Sequence, residues 1–390
     1  MKLFLNLYRQ LKYFVLAIKY SLLFSFQKNK SIESVLSKCN LSILFITHNL
    51  GGGTLTFEKN YFSSCASPVL ICRMISYKKN LFFRLEDAEQ KHILYIRDKD
   101  FASLFKYAFT EVILNSLCSF FSIEKYINKL CEYKEKNPHI SFRYFVHDFH
   151  CICPTVNLVA DNWNCSLECG KHKCAFDSFL NRYSGTISEW RKLWKPLLLQ
   201  ADEIRCFSED SKRILLKAYP DLQEKRISVK PHSMDWCRFT KIQGIESLPI
   251  HIGIIGSVYS VPKGKYVVRE LLRRLSPEIP ISVVGATKMQ IRIRRKNVRY
   301  IGKYKHDDLQ KIIEHLTISA VLFPSIWSET FSYLVSEHIQ MNIPVICFDF
   351  GAQADKVRKY AKGIVCHDTD EMVQAVMNLA SKEKKNALSV

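Results

Sequence analysis

The strongest constraint on the fold of this chain is an alternation of short apolar runs with helix-like stretches, which occurs in two successive series. The first series begins with Ile43–Thr47 and a turn at Gly51, Gly52 and Gly53, and the second begins at residues 251–255. Runs rich in Ile, Val and Phe that alternate with helices are typical of parallel sheets. The sequence therefore predicts an α/β protein with two doubly wound, Rossmann-like domains.

The two series predict a definite order of elements. Further strands of the first domain are expected at 69–75, 92–96, 111–117, 143–146 and 204–207. The second domain is expected to have strands at 251–255, 281–284, 298–301, 318–323 and 344–348, and helices from 263 and at 307–315, 331–341 and 353–361. Because the pattern loosens around 244–249, we predict an N-terminal segment at 1–40, domains at 41–243 and 250–368, and a C-terminal helix and tail at 369–390. Ligands bind beyond the carboxyl ends of such strands, so the two domains are expected to face each other across a shared cleft.

Composition limits the class of protein. At 390 residues the chain is long for one hydrophobic core. Its 47% hydrophobic and 24% charged residues are those of a globular protein rather than a disordered or polytopic membrane protein. Fourteen cysteines are too few for a disulfide scaffold of this length, and no cleavable secretory signal is evident, which favours a cytoplasmic location. The net charge of +20 predicts attraction to phosphates of nucleic acids, lipids or nucleotide sugars.

Much of this positive charge lies near the N-terminus, where residues 1–40 contain one acid, Glu33, and seven bases. The bases are Lys2, Arg9, Lys12, Lys19, Lys28, Lys30 and Lys38. The first four would share one side of a helix, opposite a face of Leu and Phe, which is typical of helices that lie in an anionic membrane surface. We expect residues 1–30 to dock peripherally on the inner face of the cytoplasmic membrane. A helix packed on the protein itself, or a membrane-spanning anchor, remains an alternative.

The segment richest in candidate chemistry is VLFPSIWSETFSYLVSEHIQMNIPVICFD, residues 321–349. It predicts a buried strand, a loop with Glu329, and a helix with Glu337. A carboxylate at such a turn can accept hydrogen bonds from ligand hydroxyls. The amides of Thr330, Phe331 and Ser332 are expected to open the helix and to suit phosphate binding. The alternative is two ordinary acids on a solvated helix face.

This arrangement of Glu, seven residues and Glu on strand, turn and helix resembles the GT-B glycosyltransferases of the retaining glycosyltransferase family 4, including bacterial surface-polysaccharide enzymes. The resemblance covers residues 42–363. It implies that Glu329 contacts hydroxyls of the donor sugar and that Glu337 holds the nucleotide ribose.

The start of the second domain, HIGIIGSVYSVPKGKYVV, contains Gly256 after the first strand and Lys263 at the start of a helix. A lysine beside a helix N-terminus is a natural partner for a diphosphate. The resemblance implies that Lys263 neutralises charge on the leaving diphosphate, and that the donor lies near Gly256. Many relatives carry an arginine where this chain has Ser257, so a second cation at the phosphates is not identified. A plain surface lysine is the alternative for Lys263.

The first domain offers two candidate features at strand ends. Gly52 and Gly53 follow the first strand, where glycines let a backbone approach a ligand closely. His147 and Asp148 follow the strand at 143–146, and the resemblance implies that the His147 imidazole lies near the donor sugar and the reacting oxygens. A structural histidine is the alternative interpretation.

Two clusters invite other functions. Cys151, Cys153, Cys165, Cys169 and Cys174 do not have the paired C-x2-C spacing of zinc ribbons, so we expect structural thiols and no metal, with a metal site as the alternative. Residues 288–305 contain eight bases and no acid: Lys288, Arg292, Arg294, Arg295, Lys296, Arg299, Lys303 and Lys305. Alternation at 291–294 favours a strand, and the lack of interleaved aromatics favours a membrane-facing or donor-attracting surface over nucleic-acid binding.

The sequence thus predicts a glycosyltransferase that moves a sugar from a nucleotide diphosphate donor to a hydroxyl of a lipid-linked or saccharide acceptor. By resemblance, we expect retention at the anomeric carbon, no obligatory cofactor and a role in O-antigen or capsule assembly. A catalytically inactive glycosyltransferase-like partner or sugar-binding subunit, and a basic nucleic-acid-binding protein, are the competing hypotheses. The sequence does not select the sugar, the base or the acceptor linkage.

Overall fold

The computed structural model describes residues 32–33, 42–77, 80–118, 120, 122–159, 165, 167, 185–222 and 227–388. They divide into two compact units. The first comprises the described residues up to 156 with 185–206 and 212–230, and the second comprises those within 157–176 with 207–211 and 231–388. The helix predicted for residues 1–30 lies outside the described residues. Within the part of the chain that is described, no helix has the length and apolar character needed to cross a bilayer.

The first unit is built on an eight-stranded sheet with the order β4-β3-β2-β1-β5-β6-β7-β8. The strands are β1 Ile43–Thr47, β2 Val69–Tyr77, β3 Asn80–Asp87, β4 Ile93–Arg97, β5 Glu111–Leu114, β6 Ser141–Phe145, β7 Glu203–Cys206 and β8 Ile227–Val229. β1 pairs in parallel with both β2 and β5, and all five of its residues are buried. A continuous apolar run buried on both faces is what a central parallel strand requires.

Helices connect the parallel strands of this part of the chain. They are α1 Gly53–Ser64, α2 Ile123–Lys136, α3 Ile187–Gln200 and α4 Glu209–Ala218, and a 3-10 helix spans Asp98–Lys106. α3 begins where the sequence encodes a capping box: Thr186 Oγ1 accepts from the Glu189 amide at 3.2 Å, and the Glu189 carboxylate accepts from the Thr186 amide at 2.7 Å. Both of these backbone amides, which have no partner within the helix ladder, are therefore hydrogen-bonded.

Strands β2, β3 and β4 depart from the predicted alternation of strand and helix. β2 pairs antiparallel with β3, and β3 pairs antiparallel with β4. Only two residues separate β2 from β3, and a connection that short joins antiparallel strands, because a parallel crossover needs a dozen residues or more. β3 and the edge strand β8 were not predicted from the sequence.

The second unit has a six-stranded, wholly parallel sheet with the order β11-β10-β9-β12-β13-β14. Its strands are β9 Ile252–Ile255, β10 Ile281–Val284, β11 Val298–Ile301, β12 Ala320–Phe323, β13 Val345–Phe348 and β14 Gly363–Cys366. Its helices are α5 Lys265–Arg274, α6 Lys288–Ile291, α7 Leu309–His315, α8 Tyr333–Gln340, α9 Gly351–Arg358 and α10 Thr369–Leu388. The prediction of two Rossmann-like sheets is confirmed, and β14 was missed.

Alternate residues of the central strands fill two separate cores. Ile254 and Leu322 belong to one apolar cluster, whereas their neighbours Ile255 and Val321 belong to another. Side chains that alternate along a strand point to opposite faces of the sheet. Apolar helices therefore cover both faces of the second sheet.

Residues 231–248 pack with the second unit, although the sequence analysis placed 231–243 in the first domain. Cys237, Phe239 and Ile245 are buried in the cluster that contains Ile255. The Gln340 amide of α8 donates to the carbonyls of Cys237 at 3.2 Å and Phe239 at 2.8 Å. Cys237 and Phe239 lie outside any helix or strand, so periodicity carried no signal for their packing.

The strand predicted at 291–294 is not formed. Thr287 and Gln290 make a capping box that starts α6, and Arg292 ends it with φ 63° in the left-handed region. The local capping signal therefore outweighs the alternation of Ile and Arg.

Candidate active site

The Glu329 carboxylate and the Lys263 ammonium form an ion pair in the second unit. Glu329 follows β12 and is 6% exposed, and Lys263 lies between β9 and α5. Ser325 Oγ also donates to Glu329 Oε1, at 3.4 Å, and the Lys263 ammonium lies 5.4 Å from the centre of the Trp327 ring. The two residues that the sequence analysis assigned to sugar and diphosphate thus meet at the carboxyl edge of the sheet.

The loop that carries Glu329 is held by the start of α9. The Glu329 amide donates to Gln353 Oε1 at 3.1 Å, and Gln353 Nε2 donates to the Trp327 carbonyl at 2.7 Å. The Ala352 amide donates to the Glu329 carbonyl at 2.9 Å. Gln353 is fully buried, so its side chain fixes the loop and does not contact solvent. The Glu329 carboxylate is therefore presented from a rigid backbone.

Gly264 explains why Lys263 lies so close to this loop. Its φ is +85°, and a Cβ at this position would lie 1.9 Å from the Pro324 carbonyl oxygen. Only glycine tolerates both the left-handed backbone and this close approach. The turn before α5 therefore packs directly on the end of β12.

Glu337 lies on α8 and is 2% exposed. Its Oε1 accepts from His306 Nε2 at 2.9 Å, whereas its Oε2 is buried and has no hydrogen-bond partner among the described residues. The His306 ring packs between Phe239, 5.0 Å away, and Trp236, 5.3 Å away, measured between ring centres. A buried carboxylate oxygen without a partner is costly, so it indicates a place for a hydroxyl donor from a ligand.

The hydrogen bond to Glu337 raises the pKa of His306, with a further contribution from the nearby Asp307. A raised pKa in the folded state adds stability that is present below the unfolded pKa and is lost as pH rises through the folded one. We expect the melting temperature of the wild type to exceed that of His306→Gln by about 2 °C at pH 6 and to converge with it by pH 8.5. Thermal melts of both proteins across this range test the pairing, and a constant difference at every pH would contradict it.

Thr330, Phe331 and Ser332 were predicted to open the helix, but they precede it. α8 begins at Tyr333, and Ser332 precedes it with φ 61° and ψ 90°. Thr330, Phe331 and Ser332 are all buried. The first-turn amides without an intrahelical partner are consequently those of 333–335.

Lys356, on α9, is the most unusual residue near this segment. Its ammonium lies 3.3 Å from the centre of the Phe331 ring and donates to the Ser332 carbonyl at 3.1 Å and to Ser336 Oγ at 2.5 Å. Burial lowers the pKa of Lys356 to about 7, and the nearby carboxylates of Glu329 and Glu337 oppose this shift.

Sequence reasoning missed Lys356, His306 and Gln353. His306 could have been found, because it follows β11 by five residues and the same strand-end rule had identified Glu329. Lys356 and Gln353 lie on α9, where no motif in the sequence indicated a functional residue. Their contacts come from tertiary packing, for which spacing offers no signal.

The remaining candidates of the second unit lie at the end of β9. Gly256 follows the strand with φ 110° and is buried, and Ser257 is exposed. Both lie at the carboxyl edge of the sheet, as predicted for residues near a donor.

Gly52, Gly53 and His147 belong to the first unit. Gly52 is the N-cap of α1, and Gly53 is its first residue. The His147 ring is buried and makes an edge contact with Phe57 of α1, at 4.6 Å between ring centres. The neighbouring Asp148 accepts from Ser116 Oγ at 2.6 Å and from the His150 amide at 2.8 Å, and burial raises its pKa. These residues share the carboxyl edge of their own sheet, and the predicted shared cleft stays a prediction.

The described part of the cysteine cluster consists of Cys151, Cys153 and Cys165. No group of three side chains able to hold a metal is found in the described residues, and Cys169 and Cys174 lie outside them. Burial raises the pKa of the Cys151 thiol. Cys151 therefore stays a protonated thiol at neutral pH.

Comparison with known proteins bears on the fold and on the second unit. Residues 249–382 match the family model described as glycosyl transferases group 1. A search of curated proteins found no match. The apo form of the lipopolysaccharide outer core galactosyltransferase WaaB has a similar structure, with a TM-score of 0.57 and 15% identity over 87% of this chain and 90% of that chain. Anabaena Alr3699/HepE in complex with UDP gives a TM-score of 0.56 and 13% identity over 88% of this chain and 91% of that chain.

The chain has the GT-B fold. The same Anabaena protein in complex with UDP-glucose also matches, with a TM-score of 0.55 and 13% identity over 88% of this chain and 90% of that chain. The GT-B fold implied by the resemblance is thereby confirmed. The region matched by the family model contains Lys263, Glu329 and Glu337.

Proposed function

We propose that this GT-B protein is a glycosyltransferase whose second unit binds a nucleotide diphosphate sugar through Lys263, Glu329 and Glu337. The observation that carries the proposal is the Glu337 carboxylate, which is 2% exposed and has one oxygen without a hydrogen-bond partner among the described residues. A ribose hydroxyl would satisfy that oxygen. The Lys263–Glu329 pair at the same sheet edge supplies a cation for phosphate and an acceptor for sugar hydroxyls.

The proposed reaction breaks the bond between the anomeric carbon and the diphosphate and forms a bond from that carbon to the acceptor oxygen. The acceptor proton passes to an oxygen of the donor phosphate, so no side-chain base and no obligatory metal is needed. Lys263 and the first-turn amides of α8 stabilise the negative charge that grows on the departing diphosphate. We propose that the configuration of the anomeric carbon is retained.

The similar structures support narrower choices of substrate. One is named as a lipopolysaccharide outer core galactosyltransferase, and another was solved with UDP and with UDP-glucose. We therefore propose a uridine diphosphate hexose as donor and a lipid-linked or saccharide hydroxyl as acceptor, in surface polysaccharide assembly. The strongly basic composition, +20 overall, supports peripheral association with an anionic membrane surface that holds the acceptor. The intact Lys263–Glu329 pair favours catalysis over an inactive sugar-binding subunit.

A panel of uridine, guanosine and thymidine diphosphates, and of their sugars, tests the nucleotide site. We expect one nucleoside diphosphate to raise the melting temperature, since a ligand that binds only the folded state stabilises it. Glu337→Ala should lose most of this rise, because it removes the ribose acceptor. The matched control is Glu314→Ala, at an exposed position on α7, which should keep the full rise in melting temperature.

Two outcomes of the panel would count against the proposal. If Glu337→Ala and wild type respond equally, the ribose assignment is wrong. If no nucleotide has an effect and the protein instead binds generic RNA with a steep salt dependence, the nucleic-acid hypothesis takes its place.

A further inference from the structure

The ammonium of Lys356 lies against the polypeptide segment that joins the two glutamates of the candidate site. It contacts that segment at three points: the face of Phe331, the carbonyl of Ser332 and the hydroxyl of Ser336. Glu329 precedes these residues and Glu337 follows them. Lys356 therefore links α9 to the whole connection between the sugar and ribose candidates.

The Ser332 backbone has a conformation that needs support. Its φ of 61° and ψ of 90° lie in a region that serine rarely adopts, and such residues persist only where the surroundings hold them. Within its own helix, the carbonyl accepts two bonds from Ser336, one from the amide at 3.4 Å and one from Oγ at 3.2 Å. The Lys356 ammonium bonds to the same carbonyl at 3.1 Å and carries a full charge, so it is the strongest of these three restraints.

The packing around Lys356 is not that of a surface lysine. The Phe331 ring, 4% exposed, lies 3.3 Å from the ammonium and also stacks with the His232 ring, 4.4 Å away between ring centres. A lysine cation against an aromatic face is stabilised by the ring quadrupole, most strongly where water is excluded. The contact thus fixes the Phe331 side chain as well as the Ser332 carbonyl.

We propose that Lys356 is a positioning residue for the donor site, which holds the backbone from Phe331 to Ser332 so that the first-turn amides of α8 face the donor diphosphate. This inference rests on the proposed function. Lys356 does not itself touch substrate, because its ammonium is directed at Phe331, Ser332 and Ser336.

The charge of Lys356 changes close to neutral pH. Burial lowers its pKa to about 7, while Glu329 and Glu337 favour the charged form. Among the described residues the charge of Lys356 also acts on His232. Burial and this charge lower the pKa of His232 to about 3, so His232 stays neutral. Donor affinity should consequently decrease as pH rises through about 7, as the ammonium loses its proton and its hold on Ser332 weakens.

The test measures binding of an intact nucleotide sugar, UDP-glucose, by calorimetry from pH 6 to pH 8.5, because its diphosphate has no ionisation in this range. We expect Lys356→Met to weaken binding about tenfold at pH 6, the loss of a charge-assisted hydrogen bond, and to flatten the pH dependence. The matched control is Lys359→Met, an exposed lysine at the end of the same helix, which should behave as wild type. His306 is unchanged in these proteins, so its titration cancels in the comparison.

Ser336→Ala gives an independent readout that does not depend on the folding of Lys356→Met. It removes one acceptor of the ammonium, together with the bond from Ser336 Oγ to the Ser332 carbonyl, and leaves the ammonium its own bond to that carbonyl. The pKa of Lys356 should therefore decrease, and the midpoint of the affinity profile should move to lower pH. A purely structural role would shift the overall stability and leave this midpoint unchanged.

Three results separate the possible failures. If wild type binds no nucleotide sugar at any pH, the proposed function fails. If wild type binds and Lys356→Met binds equally well at every pH, the positioning role is overturned. If both variants weaken binding by the same factor at all pH values, the contact is structural only.

Discussion

Lys263→Ala is expected to reduce the turnover of sugar transfer by about 100- to 1,000-fold, the loss typical of removing one preorganised group that stabilises developing charge. Lys263 is the cation paired with Glu329 in the second unit, and the proposed reaction leaves negative charge on the diphosphate. Because this charge grows only as the bond to the sugar breaks, the loss should be in kcat more than in KM.

The matched control is Lys311→Ala, an exposed lysine on α7, which makes the same change in net charge away from the sheet edge. It should retain full turnover. Glu329→Gln supplies a second comparison: it keeps the shape of the side chain and should lower sugar transfer while the bare nucleoside diphosphate still binds. Turnover is measured as release of nucleoside diphosphate in the presence of acceptor. Full activity of both Lys263→Ala and Glu329→Gln would overturn the site assignment.

Most of the succession of strands and helices, and the place of Glu329 after a buried strand, could be predicted from the sequence, because both depend on local patterns. β10 Ile281–Val284 and β11 Val298–Ile301 have the predicted bounds, and β1 Ile43–Thr47 does too. Buried parallel strands have near-continuous apolar runs, so their positions along the chain are marked in the sequence. A carboxylate directly after such a strand then falls at the ligand-binding edge.

The contacts that complete the site could not be read in this way. Lys356 and Gln353 act through tertiary packing on a loop that is more than twenty residues earlier in the chain. His306 reaches Glu337 across thirty-one residues. Likewise, the start of α8 at Tyr333 depends on a left-handed Ser332, which propensity disfavours and Lys356 supports. At Ser332, local preference and tertiary contact disagree, and this departure lies within the candidate site.

The backbone of the β9–α5 turn should tolerate no side chain at Gly264. A Cβ there would lie 1.9 Å from the Pro324 carbonyl oxygen and 2.7 Å from its carbon, and both are backbone atoms that cannot rotate away. The φ of +85° adds strain for any residue other than glycine. We expect Gly264→Ala to lower the free energy of unfolding of the second unit by about 3 kcal/mol or more, which is a large fraction of the stability of a domain.

Gly244→Ala is a close control, because Gly244 has a similar φ of +68° but nothing within 4 Å of an added Cβ. It should cost about 1 kcal/mol, the strain of the left-handed backbone alone. Hydrogen exchange resolved by peptide assigns each loss, and for Gly264→Ala protection should decrease across β9 and β12, which the turn holds together. Equal losses in the two variants would mean that the contact with Pro324 relaxes freely. Lys263 would then owe its place beside Glu329 to their ion pair and not to the packing of the turn.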